Sequence, residues 1–272
     1  SRFISLALLL WHFVFTLAYL FYVNNYGGDA LGYFEDGGAG WQIGLGGEFV
    51  RSAVYAFRLL GMGVVPIFLI FGFVGYMGVL FLLASIMRRE KDFGKYGKFF
   101  LIILFFMPSF HFWGAAIGKD AFSLCAISLV VYSCCTKQYR YVFFLLGVFL
   151  MLLVRPHMAA IMLASGFVGY IFSSALSLPV KSVIGSVFFV AGVSVMPFFF
   201  EQAGMEADAG LSDVSQYVEM RQTKNLQGGS SIDISNMSVP GRLFAYLFRP
   251  SFLDGGSLFS LISSLDNLIV FF

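Results

Sequence analysis

Long apolar runs broken by short polar stretches dominate this chain. A helix needs about 20 apolar residues to cross a hydrocarbon core of about 30 Å. Runs of this kind lie at 4–23, 61–87, 99–117, 121–136, 141–154, 158–178, 183–200 and 251–272. They predict an all-α fold: a polytopic integral membrane protein of about eight transmembrane helices, because a spanning segment must satisfy its backbone internally. The organisation expected is a single transmembrane helical domain over residues 1–272, with long polar segments at 24–60 and 201–250 and a loop at 88–98. The first run lacks a basic stretch followed by a small-residue cleavage site, so it reads as a retained helix. The chain starts without Met and stops inside the apolar run Ile269 to Phe272, so both ends are expected to be trimmed.

Composition agrees with the pattern. The 272 residues are 59% hydrophobic and only 12% charged, with mean hydropathy +0.84. Soluble domains carry about 25% charged residues, and half that cannot cover a water-soluble globule of this size. A net charge of +2 gives no electrostatic footprint for nucleic acid. Cys125, Cys134 and Cys135 are odd in number and confined to one run, which points to small packing residues rather than a disulfide framework or a zinc site.

Orientation follows from basic residues in short loops. Arg88, Arg89, Lys91, Lys95 and Lys98 make 88–98 cytoplasmic, and alternation places Arg2, Lys137, Arg140 and Lys181 on the same side. The opposite, extracytoplasmic side then holds segments 24–60 and 201–250 and two tight tips, Gly118-Lys119-Asp120 and Arg155-Pro156-His157. In a bacterium this is an inner-membrane protein with its unusual polar residues gathered at the outer boundary.

Segment 24–60 brackets Asp29, Glu35 and Asp36 between two glycine pairs, Gly27-Gly28 and Gly37-Gly38. Carboxylates at a membrane boundary can act as a general base or hold a divalent cation, although an acidic solvated turn has the same composition. Residues 47–60 carry Phe49, Val50, Ala53, Phe57 and Leu60 near helical spacing, which predicts an amphipathic helix in the interface plane.

The tips carry the cations. Pro108 interrupts the third run, and His111 and Lys119 are costly at membrane depth unless they face protein or water. Lys119-Asp120 can cap a helical hairpin as an ion pair or serve a ligand. Arg155 follows an apolar run and needs an anionic partner, either a lipid headgroup or a bound phosphate; His157 beside it can donate or carry a proton. His12, alone in the first run, reads as a core histidine satisfied by a neighbouring helix. In segment 201–250, residues 211–222 suggest a short amphipathic helix and 225–240 a loop. Arg242 and Arg249 precede the last run, where Arg249 can bind phosphate or pair with Asp254; Asp266 lies deeper.

The acidic segment after the first run, followed by basic tips on the same side, resembles the GT-C superfamily of polyprenyl-phosphate-dependent glycosyltransferases. The stretches 108–120 (PSFHFWGAAIGKD), 155–157 (RPH) and 247–250 (LFRP) are similar to segments of bacterial surface-polysaccharide membrane proteins. The resemblance implies a helical module whose partners are the lipid bilayer, a polyprenyl-phosphate-linked sugar and a glycan or lipid-linked acceptor. It implies Asp29 as the catalytic carboxylate, with Glu35 and Asp36 as the alternative. Lys119, Asp120, Arg155, His157 and Arg249 would then hold the phosphate. No metal site or cofactor is firmly implied, though a divalent cation stays open. Two other readings compete: a polymerase of lipid-linked repeat units that grips pyrophosphates with arginines, and a non-enzymatic translocator or accessory subunit with a membrane-protein partner.

Overall fold

The computed structural model describes residues 2–89, 93–173, 176–203, 216–217, 219–220, 237–248, 261, 264 and 266–268. The described residues are helical or connecting, with no strand among them. Two compact units divide the chain at residues 1–164 and 165–272.

The first unit begins with α1 (Arg2–Tyr26), α2 (Asp29–Asp36), α3 (Gly47–Leu59) and α4 (Val64–Arg88). It continues with α5 (Lys95–Phe105), α6 (Pro108–Gly114), α7 (Lys119–Cys135) and α8 (Arg140–Val154). Helix α9 (Pro156–Ser173) follows, then α10 (Leu178–Ala203) and α11 (Val239–Phe248) in the second unit. Among the described residues, four apolar stretches are long enough to cross a membrane: Arg2–Tyr26, Val64–Arg88, Tyr96–Gly114 and Leu178–Phe198. Arg140–Val154 and Pro156–Phe172 are shorter apolar helices. The expected last run, 251–272, lies almost wholly outside the described residues, as do Arg249 and Asp254. Within the expected helix at 211–222, residues 216–217 and 219–220 are helical.

Helix α1 shows why these segments are apolar all round. Leu8, His12, Thr16, Leu20 and Val23 face the protein, while Phe3, Leu6, Leu10, Val14, Leu17 and Phe21 stay exposed at helical spacing. A helix with one packed face and an equally apolar open face suits a lipid surround.

The run at 99–117 is broken rather than continuous. Proline biases the residue before it towards extended backbone, and Met107 adopts ψ 126° ahead of Pro108, which opens α6. Carbonyls at such a break need donors where water is scarce. Trp11 Nε1 donates to Phe106 O at 3.1 Å, and His111 Nε2 lies 2.6 Å from Phe105 O. A carbonyl only accepts, so His111 carries its hydrogen on Nε2 and offers Nδ1 as an acceptor. His12 Nδ1 completes the chain at 2.8 Å. Both histidines are fully buried, at 0% exposure. The partner of His12 is therefore the other buried histidine, and the pair ties α1 to α6.

Helix α4 lets these elements approach through Gly72, Gly75 and Gly78, one face at i, i+3 and i+6. A Cβ at Gly72 would stand 2.5 Å from Thr16 Oγ1, and one at Gly78 would stand 2.8 Å from Cys125 N. A Cβ at Gly75 would collide with Gly114 O. Such small-residue faces are how membrane helices pack closely. The three cysteines are unpaired, and Cys125 is buried in this contact.

Gly75→Ala should lower the unfolding free energy by about 1–3 kcal/mol through overpacking, because the obstacle is backbone. Gly185→Ala in α10, which meets nothing within 4 Å, should not destabilise. Thermal unfolding of both variants in one detergent checks the contrast.

Candidate functional site

The α1–α2 connection turns on Gly27 (φ 77°) and Gly28 (φ 153°), conformations that side chains disfavour. Asp29 therefore opens a helix instead of sitting in a turn. Helix α2 is only eight residues long and is held by α3. Ala30, Leu31, Tyr33 and Phe34 pack in one cluster with Val50, Val54 and Phe57. Arg58 Nη1 donates to Phe34 O at 2.7 Å, and its guanidinium lies 4.7 Å from the Phe34 ring centroid. Arg51 Nε reaches Asp36 Oδ2 at 3.0 Å. The inward face of α3 thus packs on protein, and its two arginines clamp α2.

Tyr33, one turn beyond Asp29 on the same face, is the residue that sequence reasoning missed. Its ring comes within 3.4 Å of a Cβ built on Gly47, and the Arg51 guanidinium lies 5.7 Å from the ring centroid. Partial burial pushes the Tyr33 hydroxyl above its ordinary pKa, and Asp29 is the next cause. Asp120 acts in the same direction, while Arg51 and Arg155 oppose it. Groups from α2, α3, α7 and the α8–α9 joint therefore bear on one phenol.

The tips converge on the same end. Lys119 and Asp120 open α7, Arg155 lies between α8 and α9, and His157 sits in the first turn of α9. An Arg155 Nη2 bond to Asp120 Oδ1 links the two tips. Arg155 Nε is enclosed and has no hydrogen bond among the described residues. Gly46, at φ 70°, donates its N–H to Leu153 O at 2.7 Å. A Cβ there would stand 3.6 Å from Lys119 Nζ, so the loop before α3 seats the lysine against the end of α8. Partial burial, then Arg155 and Lys119, hold His157 below its ordinary 6.5. Beneath the site, Tyr19 and Tyr22 of α1 meet Phe112 of α6 at centroid distances of 4.7 and 5.7 Å.

No family model, curated protein or solved structure matches this chain. The site's chemistry must therefore be read from its own groups. Of the expected site residues, Asp29, Lys119, Asp120, Arg155 and His157 share this end of the first unit. Asp36 joins them at its edge through Arg51, and Glu35 is exposed in the last turn of α2. Arg249 lies outside the described residues. In the second unit, Arg242 Nε donates to Met237 O at 2.9 Å and so supports the start of its own helix. Among the described residues, no group of three or more His, Cys, Asp or Glu side chains is assembled for a metal ion. The cluster can offer one carboxylate, one phenol and several cations to an anionic ligand.

Positive neighbours favour the neutral imidazole, so Lys119→Met or Arg155→Gln should raise the His157 titration midpoint towards 6.5. The chain has three histidines, and ring-nitrogen NMR titration of 15N-histidine protein can follow this one. His157→Gln assigns its signal.

Proposed function

We propose that this chain is a multi-pass membrane glycosyltransferase of GT-C-like organisation. It moves a sugar from a polyprenyl-phosphate-linked donor to a hydroxyl of a glycan or lipid-linked acceptor, on the extracytoplasmic side of a bacterial inner membrane. The observation that carries this reading is the convergence at one helix-bundle end: Arg155 of one tip bonds Asp120 of the other, Gly46 lies beside Lys119 at the end of α8, and Asp29 opens the helix whose Tyr33 packs against the start of α3. A transferase using a lipid phosphate donor needs this pairing of a carboxylate with cations, held where apolar helices end.

The roles follow from charge. The acceptor hydroxyl oxygen attacks the anomeric carbon and its proton passes to the Asp29 carboxylate. The bond from the anomeric carbon to the phosphate oxygen breaks, and the electron pair leaves with the polyprenyl phosphate. Lys119 and Arg155 stabilise that growing negative charge. His157 can donate a hydrogen bond to the leaving group. Asp120 holds the Arg155 guanidinium in place, and Tyr33 lines the space between carboxylate and cations.

A polymerase of lipid-linked repeat units is the second reading, favoured by the two arginines, Arg51 and Arg155, that flank Tyr33. It needs no carboxylate base. Asp29→Asn should reduce transfer from a polyprenyl-phosphate sugar by roughly 10²–10⁴-fold, the usual scale for losing a general base, while the thermal midpoint stays unchanged. Transfer that survives Asp29→Asn but is lost in Arg155→Gln would select the polymerase.

A further inference from the structure

Residues 37–47, Gly-Gly-Ala-Gly-Trp-Gln-Ile-Gly-Leu-Gly-Gly, carry no charge at all. A connecting segment facing water is normally rich in polar side chains. This one instead turns its largest apolar groups outward: Trp41 is 62% exposed and Ile43 92%. The outward pose is built into the backbone. Gln42 N donates to Ser52 Oγ at 3.0 Å, and Ser52 Oγ donates back to Gln42 O. The Trp41 ring packs edge-on against Tyr55 at 6.3 Å. Five residues on, the Gly46 bond to Leu153 O fixes the loop to the end of α8. Two apolar side chains are thus held out from a pinned loop.

Helix α8 supplies the continuity. Val142, Leu145, Leu146, Phe149 and Leu152 are exposed along one of its faces, and the loop is bonded at the end of that helix. An apolar face of this kind on a membrane helix meets acyl chains. The loop therefore extends the lipid-facing surface up to the level of Lys119 and Arg155. Tryptophan prefers the headgroup–acyl boundary, where its ring is apolar and its N–H can still find a partner.

We propose that residues 37–47 are a membrane anchor, with Trp41 and Ile43 inserted into the headgroup–acyl boundary of the bilayer beside the α8 end. The anchor fixes the depth of the site. The loop that inserts is the loop that seats Lys119, so the cations are held at the level of lipid phosphates. This inference rests on the bilayer placement in the reading above and not on its glycan chemistry.

The test uses the full chain in vesicles of phosphatidylcholine brominated either near the headgroup or near the acyl methyl end. The Trp41 contribution is the difference between the wild type and Trp41→Phe, which keeps the other two tryptophans, Trp11 and Trp113. The expected result is blue-shifted Trp41 emission, quenched more by the shallow bromines than by the deep ones. Ile43→Asp, at a side chain that is almost fully exposed, should weaken that quenching. Trp41 emission that is red-shifted, reached by iodide and untouched by either lipid would overturn the anchor, as would quenching by the deep bromines alone. If Trp11 and Trp113 are quenched in that same sample, the bilayer placement stands without the anchor. If no tryptophan is quenched, both fall.

Discussion

Backbone groups in an apolar surround must be satisfied by the protein, and the break before Pro108 is where this constraint is most demanding. The carbonyls of Phe105 and Phe106 draw His111 and Trp11 to them, and His111 in turn requires His12. These bonds commit α1 to lie against the broken third run. They also explain the glycine face of α4, since His12 and Gly114 leave no room for a Cβ at Gly75. Replacing the break by a straight helix would leave His111 Nε2 and Trp11 Nε1 without the carbonyls they bond, at about 1–3 kcal/mol for each orphaned donor.

That arrangement also positions the chemistry. Helix α6 ends at Gly114, the next residues Ala115, Ala116 and Ile117 are buried, and Lys119 opens α7. The tip is held from below by the Tyr19, Tyr22 and Phe112 rings and from the side by Gly46. Lys119 and Asp120 thus project from a rigid corner rather than a free loop. Arg155 is placed by a second joint, where Pro156 starts α9 and the Arg155 carbonyl accepts from Met158 and Ala159. The link between Asp120 and Arg155 makes the two corners one surface.

Most helix positions were legible because length and hydropathy are local properties. Pro108 announced the break, but one of its donors, Trp11, and the partner of the other, His12, lie about a hundred residues away on α1, and no local pattern names them. The glycines at 72, 75 and 78 were hidden by the same hydropathy that revealed α4, since glycine dilutes an apolar run without interrupting it. No helix was legible at 29–36 because eight residues between glycine pairs have little helical signal; α3 supplies what is missing, by packing Val54 and by donating Arg58 to Phe34 O. Tyr33 became visible only when that helix put it on the face of Asp29. The adjacency of Lys119 and Asp120 left open a local ion pair or a ligand role. Successive residues on a helix do not face each other, so Asp120 can turn to Arg155 across the tips.

The distribution of charge completes the physical logic. Segment 24–60 has its charged residues in α2 and α3, and the connecting loop between those helices has none. Both arginines of α3 bind α2: Arg51 pairs with Asp36, and Arg58 donates to Phe34 O. What projects from their connection is apolar. A segment built this way can rest on a bilayer while α2 keeps its place on α3, because Arg51 and Arg58 bind α2 directly. The same separation explains why a chain so poor in charge can still assemble a charged site. In the first unit the charged side chains described above stand at helix ends and in the short α2 and α3, and the lengths between are left to packing.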